Sequence, residues 1–347
     1  MSFTVAHSLS MTGGQVACEP PAGFCEIFSR GSRGLRSLPV IRRIAMFQRI
    51  VSMLVLFLLS ACGRAAAPAL RVAPAAPAPV ELSAAAEGEG ADIAVTRIAH
   101  ASVLLELGGK RILTDPWFSE TSAYRHGEPL GISLESLPKL DLVIVSHDHY
   151  DHFDIETFAA YPDKAVPMIV TRGMAEKTRA AGFTNVQELK PWESVQVGDV
   201  TVTACPGAHS VEELTYMLQS HGSTVYFGGD SRLIPEMDEL PKRFPSVQLA
   251  LLPVNGLHAM GKQQVMNADE AAQLAGKLHA EVAVPIHYRF QGNWFTDTFI
   301  LRYEGSPERF TEVAKTAAPT TQVRVLEPGE RLVLTRGAAA RTGAGAQ

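Results

Sequence analysis

Apolar residues between positions 92 and 335 come in short runs broken by polar turns. Nine runs read as strands: Ile93–Ile98, Val103–Leu107, Arg111–Thr114, Leu142–Ser146, Met168–Thr171, Val200–Ala204, Thr224–Phe227, Leu249–Pro253 and Val282–Ile286. Several are apolar throughout, as expected of strands covered on both faces. Between them, Ile155–Ala160, Gly173–Ala181, Ala268–Leu278 and Pro307–Ala317 read as helices. Asn267 ahead of Ala268-Asp269-Glu270 is an N-cap with acids in the first turn. Gly108-Gly109 between two strand runs predicts a hairpin turn. Strands alternating with helices in this way predict one layered α/β domain over residues 92–335.

The flanks follow other rules. Residues 64–91 hold twelve Ala and four Pro and show no apolar period, the composition of a tether (62–91 with its start). The last dozen residues, 336–347, are Gly/Ala-rich and read as a disordered tail. Upstream, the apolar run Ile50–Ala61 follows Arg42, Arg43 and Arg49 and ends in small residues before Cys62. That is the design of a secretory signal, too short for a spanning helix. Leu59-Ser60-Ala61-Cys62 resembles the lipobox of bacterial lipoproteins. The resemblance implies cleavage before Cys62, lipidation of its sulfur, export, and a membrane-anchored place in the cell envelope facing the periplasm. Met46 would be an ordinary start for such a signal, and residues 1–45 fit no part of it; residues 1–61 are thus an extension plus signal peptide.

Composition narrows the partners. The net charge is −5, but residues 1–64 hold seven Arg against Glu19 and Glu26, which leaves −10 on the remainder. An acidic body repels phosphate backbones, so nucleic acid is not an expected partner. The 46% hydrophobic content suffices for a large core. The four cysteines are too few for a disulfide scaffold. After loss of Cys18 and Cys25 and lipidation of Cys62, only Cys205 would be left, and it reads as a small buried residue.

The chemistry concentrates in His147-Asp148-His149-Tyr150-Asp151-His152, directly after the apolar run ending at Ser146. Three imidazoles and two carboxylates in six residues desolvate badly unless something binds them. Ligands at i and i+2 past a strand end can aim at one ion, while Asp151 and His152 face a second. Nitrogen and carboxylate donors suit zinc, manganese or iron. His209, Asp230 and His287 each follow a strand-like run, the edge where α/β sites assemble. Gly228-Gly229 lets the chain turn tightly before Asp230.

On these residues the chain resembles the metallo-β-lactamase superfamily, through His-x-His-x-Asp-His and the ligands that follow in order. The resemblance implies a four-layered αβ/βα sandwich with two divalent metal ions, zinc first. It assigns His147, His149 and His209 to one metal, Asp151, His152 and His287 to the other, and Asp230 to a bridge between them. Asp stands where the zinc β-lactamases have Cys, which speaks against antibiotic hydrolysis. Ile98-Ala99-His100-Ala101-Ser102 and Leu113-Thr114-Asp115-Pro116 are further similar to the branch of ascorbate-phosphate lactonases and N-acyl-phosphatidylethanolamine phospholipases D. That branch implies that His100 and Asp115 stand beside the metals.

The expected activity is hydrolysis of an ester, lactone or phosphodiester bond in a small-molecule or lipid substrate. A water shared by two cations would ionise near pH 7 rather than about 15.7, with Asp151 shuttling a proton. No Gly-x-Ser-x-Gly elbow offers a side-chain nucleophile. The alternatives are an iron-dependent redox enzyme on the same ligands and a non-catalytic metal-binding lipoprotein. Trp117, Phe118, Tyr288 and Trp294 are candidate substrate contacts, His258 a candidate pocket residue, and Arg232 and Arg289 candidate phosphate holders. His126, His221 and His279 read as surface histidines.

Overall fold

The computed structural model describes residues 93–335. The expected signal, Cys62, the tether and the tail lie outside the described residues. In chain order the strands are β1 (Ile93–Ala99), β2 (Ser102–Leu107), β3 (Lys110–Thr114), β4 (Leu142–Ile144), β5 (Met168–Thr171), β6 (Val186–Leu189), β7 (Ser194–Val197), β8 (Val200–Pro206) and β9 (Leu214–Ser220). They continue with β10 (Ser223–Phe227), β11 (Leu249–Pro253), β12 (His258–Ala259), β13 (Lys262–Gln263), β14 (Val282–Ile286), β15 (Leu301–Arg302), β16 (Gln322–Val323) and β17 (Arg331–Leu334). The α-helices are α1 (Ile155–Phe158), α2 (Ala175–Ala180), α3 (Leu240–Arg243), α4 (Ala268–Lys277), α5 (Trp294–Phe299) and α6 (Pro307–Ala317).

Two seven-stranded sheets share one plan. The first runs β17-β1-β2-β3-β4-β5-β6 and the second β16-β14-β11-β10-β9-β8-β7. In the first, pairing is antiparallel from β17 to β3 and parallel from β3 to β6. In the second it is antiparallel from β7 to β10 and parallel from β10 to β16. The chain therefore repeats an architecture that its sequence does not display as a repeat. A third, small sheet orders β13-β12-β15.

Side-chain alternation along each strand makes the layers. Leu142 and Ile144 join Val103, Leu105, Val225 and Leu251 in a core between the two sheets. Val143, Leu104 and Leu113 face the other way and pack with Ile155, Phe158 and Phe183. Ala250 and Leu252 pack outward against Ala271, Leu274 and Phe310 of α4 and α6. The result is the expected αβ/βα sandwich. Asn267 caps α4 in a reciprocal box with Glu270. No helix among the described residues is long and apolar enough to cross a membrane.

Candidate metal centre

The site gathers where the parallel strands of both sheets end. Past Val145 the chain leaves the ladder, because the Ser146 N–H turns to Asp115 Oδ1 at 2.7 Å. The His147–His152 loop hangs from that point. His209 follows β8, Asp230 follows β10 and His287 follows β14. His100 sits in the β1–β2 turn and joins the opposite sheet, its carbonyl accepting the His287 N–H at 3.1 Å. His100, Asp115 and His287 all have positive φ (54°, 36° and 53°). Left-handed backbone in non-glycine residues is costly and clusters where side chains must be aimed.

All seven predicted ligands come together, and His100 comes with them. Donor atoms of His147, His149 and His209 form one group, those of His147, His152 and Asp230 a second, and those of His100, Asp151, His152 and His287 a third, each within 4.8 Å. His149 Nδ1 lies 3.0 Å from Nε2 of both His147 and His209. The tautomers are set from behind. His147 Nδ1 faces Ser146 Oγ at 2.9 Å, and that hydroxyl donates to Asp115 Oδ2. His209 Nδ1 donates to the Gln264 carbonyl at 2.9 Å, and His152 Nδ1 to Asp115 Oδ2 at 2.7 Å. Each of these three Nε2 atoms is thereby left with a lone pair pointing inward.

These inward atoms fit cations better than they fit one another. His287 Nε2 is 2.7 Å and His152 Nε2 3.1 Å from Asp230 Oδ2, yet both nitrogens, and Asp230 Oδ1, lack a hydrogen bond of proper geometry and are buried. Both His100 nitrogens are in the same condition. Buried polar atoms in this state cost free energy unless something enters among them. Zinc–nitrogen bonds of about 2.0–2.1 Å place tetrahedral ligands about 3.3 Å apart, close to the spacing seen here.

Electrostatics favour the ligating forms of His147, His287, Asp151 and Asp230, and the protonated form of His152 while no cation is bound. Burial holds His147 well below its ordinary pKa and His287 down to about 4, so both are neutral near pH 7. Burial would raise the carboxyls of Asp151 and Asp230, but neighbouring histidines outweigh it and hold both low. For His152, burial is outweighed by Asp230 and Asp115, and its pKa is raised.

One buried residue of the centre itself was missed in the sequence. Glu213 is buried and its Oε1 accepts the Asp230 N–H. The same oxygen lies 3.9 Å from His147 Nδ1. Burial, with Asp230 adding to it, pushes this carboxyl well up. Gly229 (φ 52°) makes the room: a Cβ there would meet Glu213 Oε1 at 2.5 Å and Ser146 Cβ at 2.8 Å. The one available signal was an acidic residue opening the apolar segment that became β9.

A cavity of about 420 Å³ opens over the centre, with His149, Asp151, His209 and Asp230 in its wall. Tyr124, Leu257, Met260, Phe290 and Leu301 supply most of its apolar lining. None of the four predicted aromatic contacts lines it. Trp117, Phe118 and Tyr288 are buried, and Trp294 is exposed. His258 does not line it either; its ring turns to the Gly256 carbonyl. Arg289 lines a neighbouring cavity of about 280 Å³, and exposed Arg232 contacts the Ala208 carbonyl. His126 is not a surface residue. It is buried against Trp117, ring centroids 4.0 Å apart, and burial lowers its pKa. Cys205 is buried, its thiol pushed up to about 12 by desolvation.

Two sheets of this plan, with histidines and aspartates at their shared edge, define the metallo-β-lactamase class of fold and site. The model of the beta-lactamase superfamily domain matches residues 110–288, and the chain belongs to that family. It is 28% identical over 285 residues to an uncharacterised protein of Mycobacterium tuberculosis, covering 75% of this chain and 73% of the relative. It is also 28% identical over 241 residues to a UPF0173 metal-dependent hydrolase of Caldivirga maquilingensis, covering 68% of this chain and 96% of the relative. Among solved structures, Igni18, a metallo hydrolase of Ignicoccus hospitalis, shares the fold with a TM-score of 0.55 at 23% identity, covering 71% of this chain and 99% of that one.

Proposed function

We propose that the protein is a metal-dependent hydrolase that holds two divalent cations, zinc first, and cleaves an ester, lactone or phosphodiester bond. The observation that carries this reading is the convergence of donor atoms from the seven predicted histidine and aspartate ligands, among which His152 Nε2, His287 Nε2 and Asp230 Oδ1 are buried without a hydrogen bond. His147, His149 and His209 would hold one cation, Asp151, His152 and His287 the other, with Asp230 between them. When bound, the pair supplies an activated water and polarises the scissile bond. Asp115, through His152 and Ser146, orients the ring nitrogens. Asp151 lies in the cavity wall with its Oδ2 3.4 Å from His100 Nε2, the position from which a proton would be shuttled. His100, in one donor group with Asp151, His152 and His287, would share in holding their cation. The apolar lining favours a substrate with a hydrocarbon part, in keeping with the lactonase and phospholipase branch that the His100 and Asp115 segments resemble. Lipidation at Cys62 would hold the enzyme at the cell envelope, facing the periplasm.

Elemental analysis of the purified protein, paired with a panel of esters, lactones and phosphodiesters, tests the proposal. Two equivalents of zinc and turnover of one class are expected. Protein free of transition metals after loading, or zinc-loaded protein inert on the whole panel, would overturn it.

A further inference from the structure

Large apolar side chains that are more than half exposed occur in one place among the described residues: Met260 (84%), Trp294 (74%), Phe299 (65%) and Phe295 (56%). Three of the six residues of α5 are aromatic, yet the helix buries none of its residues. Met260 belongs to the same patch, since its N–H donates to the Ile300 carbonyl at 3.0 Å and β12 pairs with β15. The patch is the rim of the metal cavity, for Met260, Thr296 and Leu301 also line that cavity.

We propose that this patch docks the domain on a lipid bilayer, and that the cavity draws an acyl-bearing substrate from that surface. The second half rests on the hydrolase reading; the first does not. An exposed Trp with two Phe on one short helix is the composition of a membrane–water interface. Exposed Lys262, and exposed Arg302 with Glu304 3.9 Å from it, stand beside the patch, where cations would meet lipid headgroups. Either a lipid on Cys62 after cleavage or an uncleaved apolar run Ile50–Ala61 would tie the chain to a membrane. Only thirty residues separate Cys62 from Ile93, a reach of about 100 Å at full extension, so the same bilayer is always within range. A second copy of the chain seated on this patch would instead cover the cavity that it rims.

Tryptophan quenching tests this in the full chain, reconstituted in phosphatidylcholine–phosphatidylglycerol vesicles with brominated acyl chains. Trp294 is the exposed indole; Trp117 is buried and Trp192 half-buried. Blue-shifted, quenched emission is expected, lost in Trp294→Tyr. It should be lost as well, with Trp294 kept, in the triple variant Met260→Ser, Phe295→Ser, Phe299→Ser. Unquenched wild-type emission overturns docking. So does quenching that survives the triple variant, since the anchor alone would then bring the indole close. A concentration-dependent dimer that hides Trp294 without vesicles overturns it too. Hydrolysis of soluble esters without quenching rejects docking and leaves the hydrolase; quenching in a protein inert on every ester, lactone and phosphodiester does the reverse.

Discussion

Asp115 and Asp230 hold equivalent places in the two sheets. Asp115 follows β3 and Asp230 follows β10, the strands at which each sheet changes from antiparallel to parallel. His152 lies between them, with Nδ1 2.7 Å from Asp115 Oδ2 and Nε2 3.1 Å from Asp230 Oδ2. One aspartate faces the ring from behind and the other meets it at the centre.

The rear position of Asp115 predicts an effect on metal rather than on fold. Asp115→Asn should weaken metal retention by roughly 10- to 100-fold, as loss of such orienting partners does. Dialysis against graded chelator followed by elemental analysis measures it, and unchanged retention would remove Asp115 from the orienting role.

Asp230→Ala should lower metal content and abolish turnover while circular dichroism stays near that of the wild type. Its neighbours His152 and His287 are held by Asp115 and by the backbone of His100. Near-normal turnover in this variant would reject the bridging assignment.

Glu213 divides into two functions that substitution separates. Glu213→Ala leaves the buried Asp230 N–H without its acceptor and should cost about 1–3 kcal/mol. Glu213→Gln keeps an oxygen for that N–H and should cost less. Thermal melts of the metal-free proteins decide; equal losses would show that the acceptor is unimportant.

Acid should act through His287. Burial, outweighing Asp230, holds its folded pKa at about 4 against 6.5 for the free residue. Between these values the unfolded chain takes up a proton that the folded chain refuses. The stability involved is therefore whole above pH 6.5 and lost as pH falls toward 4, about 3 kcal/mol in full. Metal-free His287→Asn should show a shallower decline over this window in thermal melts. A slope equal to the wild type would mean that the imidazole is already protonated in the fold.

Cys205, with its thiol pushed up to about 12, should resist iodoacetamide in the folded protein at neutral pH and react fully once unfolded. Mass spectrometry before and after denaturation reads this directly.

Much of this was legible in the sequence because strands buried on both faces leave long apolar signatures. Met168–Thr171, Leu249–Pro253 and Val282–Ile286 have the predicted bounds, and the histidines and aspartates after such runs converge. Edge strands were not legible: β6 and β7 have one buried residue between them, Leu189, and show no strong apolar run. Helix α5 escaped because a helix that buries nothing has no apolar face to give it a period. His126 was misread because its burial depends on Trp117, whose inward direction no local pattern announces. Glu213 was overlooked because a single carboxylate ahead of an apolar segment looks like any solvated strand end.

The outer wall of the cavity comes from residues 257–264 and 294–303, and none of these belongs to the three apolar clusters that hold the sandwich together. Substitutions of the side chains that line the cavity there leave those apolar clusters intact. A lineage could reshape which molecules enter while the cation-binding floor stayed untouched, so divergence in selectivity among relatives should map to these two segments before it reaches any strand.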